Sequence, residues 1–192
     1  MTTATIVRDH ENSDEPSAKS AIRKQLLEQR RQRSSADQAA AEAAICARLL
    51  AWWQAHPVSS LGVYHPIRRE PDLTSFYNAL SRQGVHLSLP IIRGTALPLE
   101  FIAWTPGETL VKDALGTLVP ASDITVQPQA LVIPCLGFNA DRLRLGYGGG
   151  FYDRTLVQSP RPFSIGVAYS DAEVIFAGEE HDIALDLIVT GP

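Results

Sequence analysis

The chain has 192 residues, of which 45% are hydrophobic, and its formal net charge is −4. This length suits one well-buried domain and is short for two, and a negative net charge argues against a nucleic-acid surface. No stretch approaches the roughly 20 apolar residues of a membrane helix, so we expect no membrane partner. The two cysteines, Cys46 and Cys135, have neither disulfide-framework nor metal-ligand spacing. This predicts buried free thiols and a reducing, cytoplasmic location.

Residues 1–16 are polar and mixed in charge, and they lack the apolar core of a signal peptide. We expect them to form a flexible lead-in to a single domain over residues 17–192. Ser17 is a suitable N-cap for a first helix from Ala18 to about Arg33, because strong helix formers follow it. A second helix is expected to run to about Ala55.

Two basic side chains on the first helix, Lys19 and Arg23, are four positions apart and therefore share one face. A solvated charged face and a two-pronged cationic clamp for phosphates are both compatible with this spacing.

Apolar runs with strand character alternate with amphipathic helical segments along the rest of the chain. This alternation predicts an α/β fold, a single layered domain with a mostly parallel sheet flanked by helices. Ligand-binding loops are then expected at the C-terminal ends of the strands, where the active-site cleft would lie. The predicted elements are strands at 61–64, 85–89, 99–104, 131–133 and 163–169, a short extended piece at 110–119, a last strand ending at 190, and helices at 73–82 and 152–158.

The most informative stretch is 131–156, in which a buried strand leads through a turn to a glycine-rich loop. Glycines let backbone N–H groups turn toward an anion, and a helix beginning near Phe151 would add its positive end. Arg144 precedes this loop and Asp153, a hard carboxylate, follows it, which together suit a triphosphate with magnesium. A plain glycine turn is the alternative, since neither common nucleotide motif is present. The loop glycines are Gly146, Gly148, Gly149 and Gly150.

The segment Arg-Leu-Gly-Tyr-Gly-Gly-Gly-Phe-Tyr-Asp-Arg from Arg144, preceded by Ile-Pro-Cys-Leu-Gly-Phe-Asn, resembles the signature of the 5-formyltetrahydrofolate cyclo-ligase family. The resemblance extends from about Lys19 to Thr190. It implies ATP-dependent conversion of 5-formyltetrahydrofolate to 5,10-methenyltetrahydrofolate with release of ADP and phosphate. It also implies phosphorylation of the formyl oxygen, ring closure by N10, and a requirement for Mg2+. The sequence departs from the family at Gly149, where many members carry lysine.

The resemblance assigns roles to individual positions. Arg144 and Tyr152 would be catalytic, and Asp153 and Asp186 would hold magnesium. His181 and Asp182 belong to the same closing segment as Asp186, and a structural loop pair is the alternative left open for them. The ATP-binding residues would be Lys19, Arg23, Arg144, Gly146, Tyr147, Gly148, Gly149, Gly150, Phe151 and Tyr152. The folate-binding residues would be His65, Glu70, Tyr147, Phe151 and Tyr152.

Other functions remain open at this point. Glu70 lies in a loop after a strand, where it would bind the pterin N–H edge or remain a solvated carboxylate paired with Arg68 or Arg69. A non-catalytic or different-substrate ATP-binding relative would use the same scaffold, and a sugar-phosphate binder would keep the glycine loop. The presence of Asp153 and Asp186 together with Glu70 favours the enzyme. We expect small-molecule substrates only, and a monomer.

Overall fold

The computed structural model describes residues 18–112 and 117–191. The predicted lead-in, the Ser17 cap and part of the extended piece at 110–119 lie outside these residues. Within the described part of the chain, no helix is long and apolar enough to cross a membrane.

In the part of the chain that the structure describes, four helices and eleven strands form the scaffold, together with one short 3-10 turn. The helices are α1 (Ala18–Gln32), α2 (Ser35–Ala55), α3 (Thr74–Arg82) and α4 (Phe151–Leu156). The strands are β1 (Ser60–Gly62), β2 (His86–Ile91), β3 (Glu100–Trp104), β4 (Leu110–Lys112), β5 (Leu118–Pro120), β6 (Thr125–Val126), β7 (Ala130–Pro134), β8 (Gly137–Phe138), β9 (Arg144–Leu145), β10 (Phe163–Ala168) and β11 (Leu187–Thr190).

Within the described residues, seven strands form the central sheet in the order β11-β10-β7-β1-β2-β3-β6. The first five are parallel to one another, whereas β3 and β6 are antiparallel additions at one edge. The chain moves from β1 to β2 in one direction and later from β7 to β10 and β11 in the other. The order of strands therefore reverses between β1 and β7, and the crevice outside the C-terminal strand ends at such a point is a common ligand site.

Alternate side chains of the buried strands pack into two hydrophobic clusters on opposite faces of the sheet. Ala130 and Val132 of β7 join the cluster that contains Leu49 of α2 and the buried residues of α3. Leu131 and Ile133 join the cluster that contains Leu26 of α1 and Leu156 of α4. Helices thus cover both faces, as expected for a mostly parallel sheet. The predicted fold class is confirmed at this level.

Two loops leave the sheet at the point where its strand order reverses. Residues 63–73 follow β1, and the β8–β9 hairpin with its glycine loop follows β7. The side chain of Asn139 accepts hydrogen bonds from the backbone N–H groups of Asp141 and Leu143, at 3.1 and 2.9 Å, and so shapes the hairpin tip. This tight turn joins β8 to β9, and the glycine loop begins directly after β9.

Candidate active site

A cavity of about 510 Å³ opens at the C-terminal edge of the sheet, between the loop after β1 and the glycine loop. Almost all of the residues predicted for the site line it, although they come from distant parts of the sequence. They are Lys19, Arg23, His65, Glu70, Arg144, Gly146, Tyr147, Gly148, Gly149, Gly150, Phe151, Tyr152 and Asp153.

The glycine loop depends on backbone angles that side chains disfavour. Gly148 has φ +94° and Gly150 has φ +63°, both in the left-handed region. The guanidinium of Arg23 supports the loop from α1, because its Nε donates to the carbonyl oxygen of Gly146 at 2.9 Å. Arg23 also lies 3.8 Å from where a Cβ on Gly148 would stand. A cation is therefore placed against the loop.

Arg144 and Asp153 form an ion pair beside the glycines. Nη2 of Arg144 donates to Oδ2 of Asp153 at 2.7 Å, and the side chains are only 6% and 13% exposed. The guanidinium also lies 5.2 Å from the centre of the Tyr152 ring. Among residues 18–112 and 117–191, the buried Nε–H of Arg144 has no hydrogen-bond partner. A buried donor without a partner costs free energy, so this group is suited to an incoming anion.

A second ion cluster closes the same side of the cavity. Nζ of Lys19 lies 2.8 Å from Asp182 and 2.9 Å from Glu179. Burial lowers the pKa of Lys19, but the hydrogen bonds to the two carboxylates outweigh it and leave that pKa raised. Burial likewise opposes the effect of Lys19 on Asp182, whose pKa is nevertheless lowered. Both groups are therefore charged at neutral pH.

Glu70 is buried, with 3% of its surface exposed, at the other side of the cavity. Its carboxylate accepts the backbone N–H of Ile67 at 3.0 Å and the hydroxyl of Tyr147 at 2.9 Å. Burial raises the pKa of Glu70, and these two hydrogen bonds oppose that rise. The alternative of a solvated carboxylate paired with Arg68 or Arg69 is therefore wrong. Those two arginines have positive φ angles of 48° and 57°, which turn the loop so that Glu70 faces inward.

Tyr147 spans the cavity, since its backbone belongs to the glycine loop while its hydroxyl contacts Glu70. Burial and the nearby Glu70 carboxylate raise the pKa values of Tyr147 and Tyr152 well above the ordinary value of 10.0. Both phenols are therefore neutral hydrogen-bonding groups at neutral pH.

The family model of the 5-formyltetrahydrofolate cyclo-ligase family matches residues 15–191. The chain belongs to the 5-formyltetrahydrofolate cyclo-ligase family. A curated 5-formyltetrahydrofolate cyclo-ligase of Mycolicibacterium smegmatis is 30% identical over 188 residues, which cover 91% of this chain and 94% of the relative. One from Mycoplasma pneumoniae is 29% identical, covering 89% of this chain and 97% of the relative.

A solved structure gives the same result. The 5,10-methenyltetrahydrofolate synthetase of Mycoplasma pneumoniae superposes with a TM-score of 0.75 at 27% identity, covering 90% of this chain and 98% of that one. The family and the fold class predicted from the sequence are confirmed. The monomeric state and the cytoplasmic location stay predictions.

One residue assigned by resemblance to the cyclo-ligase family does not reach the site. Oδ2 of Asp186 accepts the backbone N–H and the hydroxyl of Ser164, at 2.8 and 2.7 Å, and lies 3.3 Å from Arg161. Asp186 immediately precedes β11, and Ser164 is near the start of the parallel strand β10. The carboxylate is thus at the N-terminal edge of the sheet, away from the cavity. The predicted meeting of Asp153 with Asp186 at one rim is therefore wrong.

The structure instead places the segment 179–182 at the cavity. Glu179, His181 and Asp182 line it, and Asp182 also pairs with Lys19, so the interpretation of His181 and Asp182 as a structural loop pair stays a prediction. The backbone N–H of Ile183 lies 3.4 Å from Oδ1 of Asp153, which brings this segment against the end of the glycine loop.

Gly149 is the position at which the resemblance to the family signature leads one to expect lysine. A Cβ there would lie 2.7 Å from the ring of Phe151, so that ring occupies the space beside the loop. The guanidinium of Arg154 stacks on this ring at 4.9 Å and donates to the carbonyl oxygen of Gly149 at 2.8 Å. The missing lysine is therefore accompanied by an arginine on the outer side of the loop.

The apolar wall of the cavity and the buried Arg30 were not predicted from the sequence. The wall consists of Ile67, Leu89, Pro90, Ile92, Leu99, Leu118 and Pro134. Such residues carry no local signal of a site, because the same types fill any core. For Arg30 a signal existed, since it follows Arg23 by seven residues and so lies on the same helical face.

Proposed function

We propose that this cavity carries out the reaction of its family, the ATP-dependent closure of 5-formyltetrahydrofolate to 5,10-methenyltetrahydrofolate. The family model, the curated relatives and the solved synthetase support the conversion itself and the ligase class. The single observation that carries the assignment to this cavity is the position of Tyr147. It joins a glycine loop suited to phosphates with a buried carboxylate suited to a pterin.

The chemistry explains why one cavity must hold both substrates. The oxygen of the formamide is a poor leaving group, so water is not expelled when N10 attacks the formyl carbon. Transfer of the terminal phosphoryl group of ATP to this oxygen gives an iminium-like carbon and a good leaving group. N10 then attacks this carbon and loses its proton to solvent, and phosphate leaves with the former formyl oxygen. Positioning and charge neutralisation supply most of the catalysis in such a transfer.

Lys19, Arg23 and Arg144 would bind the phosphates together with the backbone N–H groups of the glycine loop. In the structure these cations contact oxygen atoms of the protein itself: the carboxylates of Glu179, Asp182 and Asp153, and the carbonyl of Gly146. An incoming triphosphate would replace those oxygens as the partner of the cations. The unpartnered Nε–H of Arg144 would gain an acceptor in the same step.

Asp153 and Asp182 would hold magnesium, with Asp182 in place of Asp186. Both line the cavity, and Asp153 contacts the backbone next to Asp182. Magnesium commonly uses one or two carboxylates and completes its shell with water and substrate phosphates, so two carboxylates beside a phosphate loop fit it. When bound, the ion would neutralise charge that develops on the phosphates. Asp153 and Asp182 would hold this ion beside the glycine loop and so help to orient the nucleotide.

The folate would lie between Glu70, Tyr152 and the apolar wall. As a carboxylate, the buried Glu70 would accept hydrogen bonds, which matches an N–H edge of the pterin. His65 and Phe151 line the same space. The neutral hydroxyl of Tyr152 is able to donate to the substrate without competing for its charge.

The test uses the purified protein with 5-formyltetrahydrofolate and Mg-ATP, following the absorbance of the methenyl product. We expect product and ADP in equal amounts, and none when ATP, magnesium or folate is omitted. A non-catalytic ATP-binding relative would bind the nucleotide without product. A sugar-phosphate binder would bind neither ATP nor folate.

A further inference from the structure

Arg30 is a buried arginine on α1 that does not line the cavity. Only 4% of its surface is exposed, which is rare for a side chain that remains charged. Its Nη1 donates to the hydroxyl of Tyr147 at 3.2 Å, and its Nη2 donates to the carbonyl oxygen of Cys135 at 3.0 Å. One face of the guanidinium lies 5.7 Å from the centre of the Tyr169 ring. Such enclosure leaves the group little freedom.

The contacts of Arg30 lead directly to the folate side of the cavity. Arg30 donates to Tyr147, and the Tyr147 hydroxyl donates in turn to Oε1 of Glu70. Oε2 of the same carboxylate is held by the backbone of Ile67. The two-pronged shape of the guanidinium fixes Tyr147 relative to Cys135, at the end of a central strand. A chain of hydrogen bonds thus ties Glu70 to the rigid part of the sheet.

We propose that Arg30 is a positioning residue for folate: it fixes the Tyr147 hydroxyl and keeps the Glu70 carboxylate oriented and ionised. This inference rests on the proposed function, because it concerns how Glu70 and Tyr147 receive the pterin. It assigns to α1 a second task beside phosphate binding, since Arg23 and Arg30 occupy the same face two turns apart.

The charge on Arg30 matters because some of the groups around Glu70 favour its neutral acid and others favour its carboxylate. The groups that act on it or respond to it are Arg30 of α1, Arg68 of its own loop, Tyr147 of the glycine loop, Tyr64 after β1, Cys135 after β7 and Tyr152 of α4. Burial favours the neutral acid, whereas Arg30, Arg68 and the two hydrogen bonds favour the carboxylate. Loss of Arg30 would therefore raise the pKa of Glu70 further. Activity that needs the carboxylate would then be lost at a higher pH as the solution is acidified.

The test compares Arg30→Met with Arg31→Met in the complete protein. Arg31 is the neighbouring arginine, and its side chain is 72% exposed. For Arg30→Met we expect the KM for 5-formyltetrahydrofolate to rise about tenfold or more, the factor expected for one charge-assisted hydrogen bond. The acidic limb of the pH profile of kcat/KM should move to higher pH, and the KM for ATP should stay unchanged. Arg31→Met should behave as the unmodified protein.

Arg30→Lys is the second variant, and circular dichroism checks the fold of each. A lysine keeps the positive charge but does not reproduce the two-pronged hydrogen bonding of the guanidinium. The acidic limb of the pH profile should therefore stay at the same pH, while the KM for folate rises. In a Glu70→Gln background, Arg30→Met should add little if Arg30 acts through Glu70. The proposal is overturned if the folded Arg30 variants have unchanged folate KM and pH profile, or if both KM values rise equally. Absence of product from the unmodified protein would instead refute the proposed function.

Discussion

Two arginine–aspartate pairs lie at opposite edges of the same sheet and differ in what they leave unsatisfied. At the C-terminal edge, Asp153 is held by Arg144, whose Nε–H has no partner within the described residues. At the N-terminal edge, Asp186 is held by Arg161 and also by the backbone and hydroxyl of Ser164. Only the first pair faces the cavity.

This difference in hydrogen bonding indicates that the Arg144–Asp153 pair is available to a ligand, whereas the Arg161–Asp186 pair stabilises the fold. The carboxylate of Asp186 accepts the backbone N–H and the hydroxyl of Ser164 and contacts Arg161, so its charge is already used within the protein. Arg144 and Asp153 line the cavity, and the Nε–H of Arg144 lacks a partner among the described residues, a free-energy cost that a bound triphosphate with magnesium would remove. Residue type alone does not distinguish the two pairs. Their hydrogen-bond partners do.

The largest contrast is expected for glycine substitutions at the two edges. Gly148→Val should abolish turnover, because the left-handed backbone of the loop disfavours a Cβ and a bulkier side chain would displace the adjacent Arg23 guanidinium. Gly84 is the matched control, since its φ is +81° and nothing lies within 4 Å of a Cβ placed there. Gly84→Val should cost about 1–2 kcal/mol of stability and leave turnover intact. Equal loss of turnover in both variants would contradict the loop's role.

The next contrast exchanges the two aspartates for asparagine. Asp153→Asn should lower kcat about 100-fold, as expected for loss of a metal-site carboxylate, and should also lower the unfolding free energy, because the buried Arg144 loses its opposite charge. Asp186→Asn should lower the unfolding free energy by about 1–3 kcal/mol and leave kcat nearly unchanged, because it removes the negative charge that Ser164 and Arg161 contact. Steady-state kinetics and urea unfolding measure both effects. The reverse pattern would restore Asp186 to the metal site.

A third aspartate, Asp182, tests whether two carboxylates share one metal site. If Asp153 and Asp182 act on one magnesium ion, the double Asn variant should lose less than the sum of the two single losses, and excess magnesium should recover part of the activity of each. Fully additive losses without recovery would show that the two carboxylates act independently.

A smaller effect is expected for the clamp on α1. Arg23→Ala should weaken ATP binding by about 1.5–3 kcal/mol, the range for hydrogen bonds to charged groups, and change folate binding little. Lys24→Ala, at the exposed neighbouring position, is the control and should leave ATP binding unchanged. Calorimetry with each substrate measures both. Unaltered nucleotide affinity in the Arg23 variant would remove it from the phosphate site.

The smallest effect concerns stability as a function of pH at the Lys19–Asp182 pair. The pKa of Asp182 is lowered from its ordinary value of 3.8 by Lys19 and by its other hydrogen bonds, against the effect of burial. The stabilisation is therefore present above that value and is lost as pH falls through the lower pKa of the folded state. It should be no more than about 1 kcal/mol for a pair at the cavity mouth. The melting temperatures of the unmodified protein and of Asp182→Asn should become equal in strong acid. A difference that stays constant with pH would show that the Lys19–Asp182 pair does not contribute to stability.

Much of the site was predictable because its chemistry is local in the sequence. The glycines, Arg144 and Asp153 lie within ten residues, and Lys19 and Arg23 share a helical face by spacing alone. Asp182 and Asp186 are different, since the register of β11 against β10 decides which edge each one reaches. A residue that directly precedes a parallel strand lies at the edge opposite the ligand cleft. Because Asp186 directly precedes the last predicted strand, this rule argues against its assignment as a magnesium ligand.

The burial of Arg30 could not be predicted with the same assurance. Arg30 and Arg31 are adjacent and identical in type, and about 100° of helical rotation places one under the loop after β7 and the other in solvent. The packing of α1 against the sheet, through Leu26, determines which of the two is enclosed. That packing is a property of the folded chain.

The most direct test of the central claim, that this cavity transfers a phosphoryl group to the formyl oxygen, follows that oxygen atom. 5-Formyltetrahydrofolate labelled with oxygen-18 in the formyl group would be converted with Mg-ATP, and the released phosphate analysed by mass spectrometry. We predict one labelled oxygen in each phosphate, because the C–O bond breaks after the O–P bond has formed. Unlabelled phosphate, with the label released in water, would contradict the mechanism.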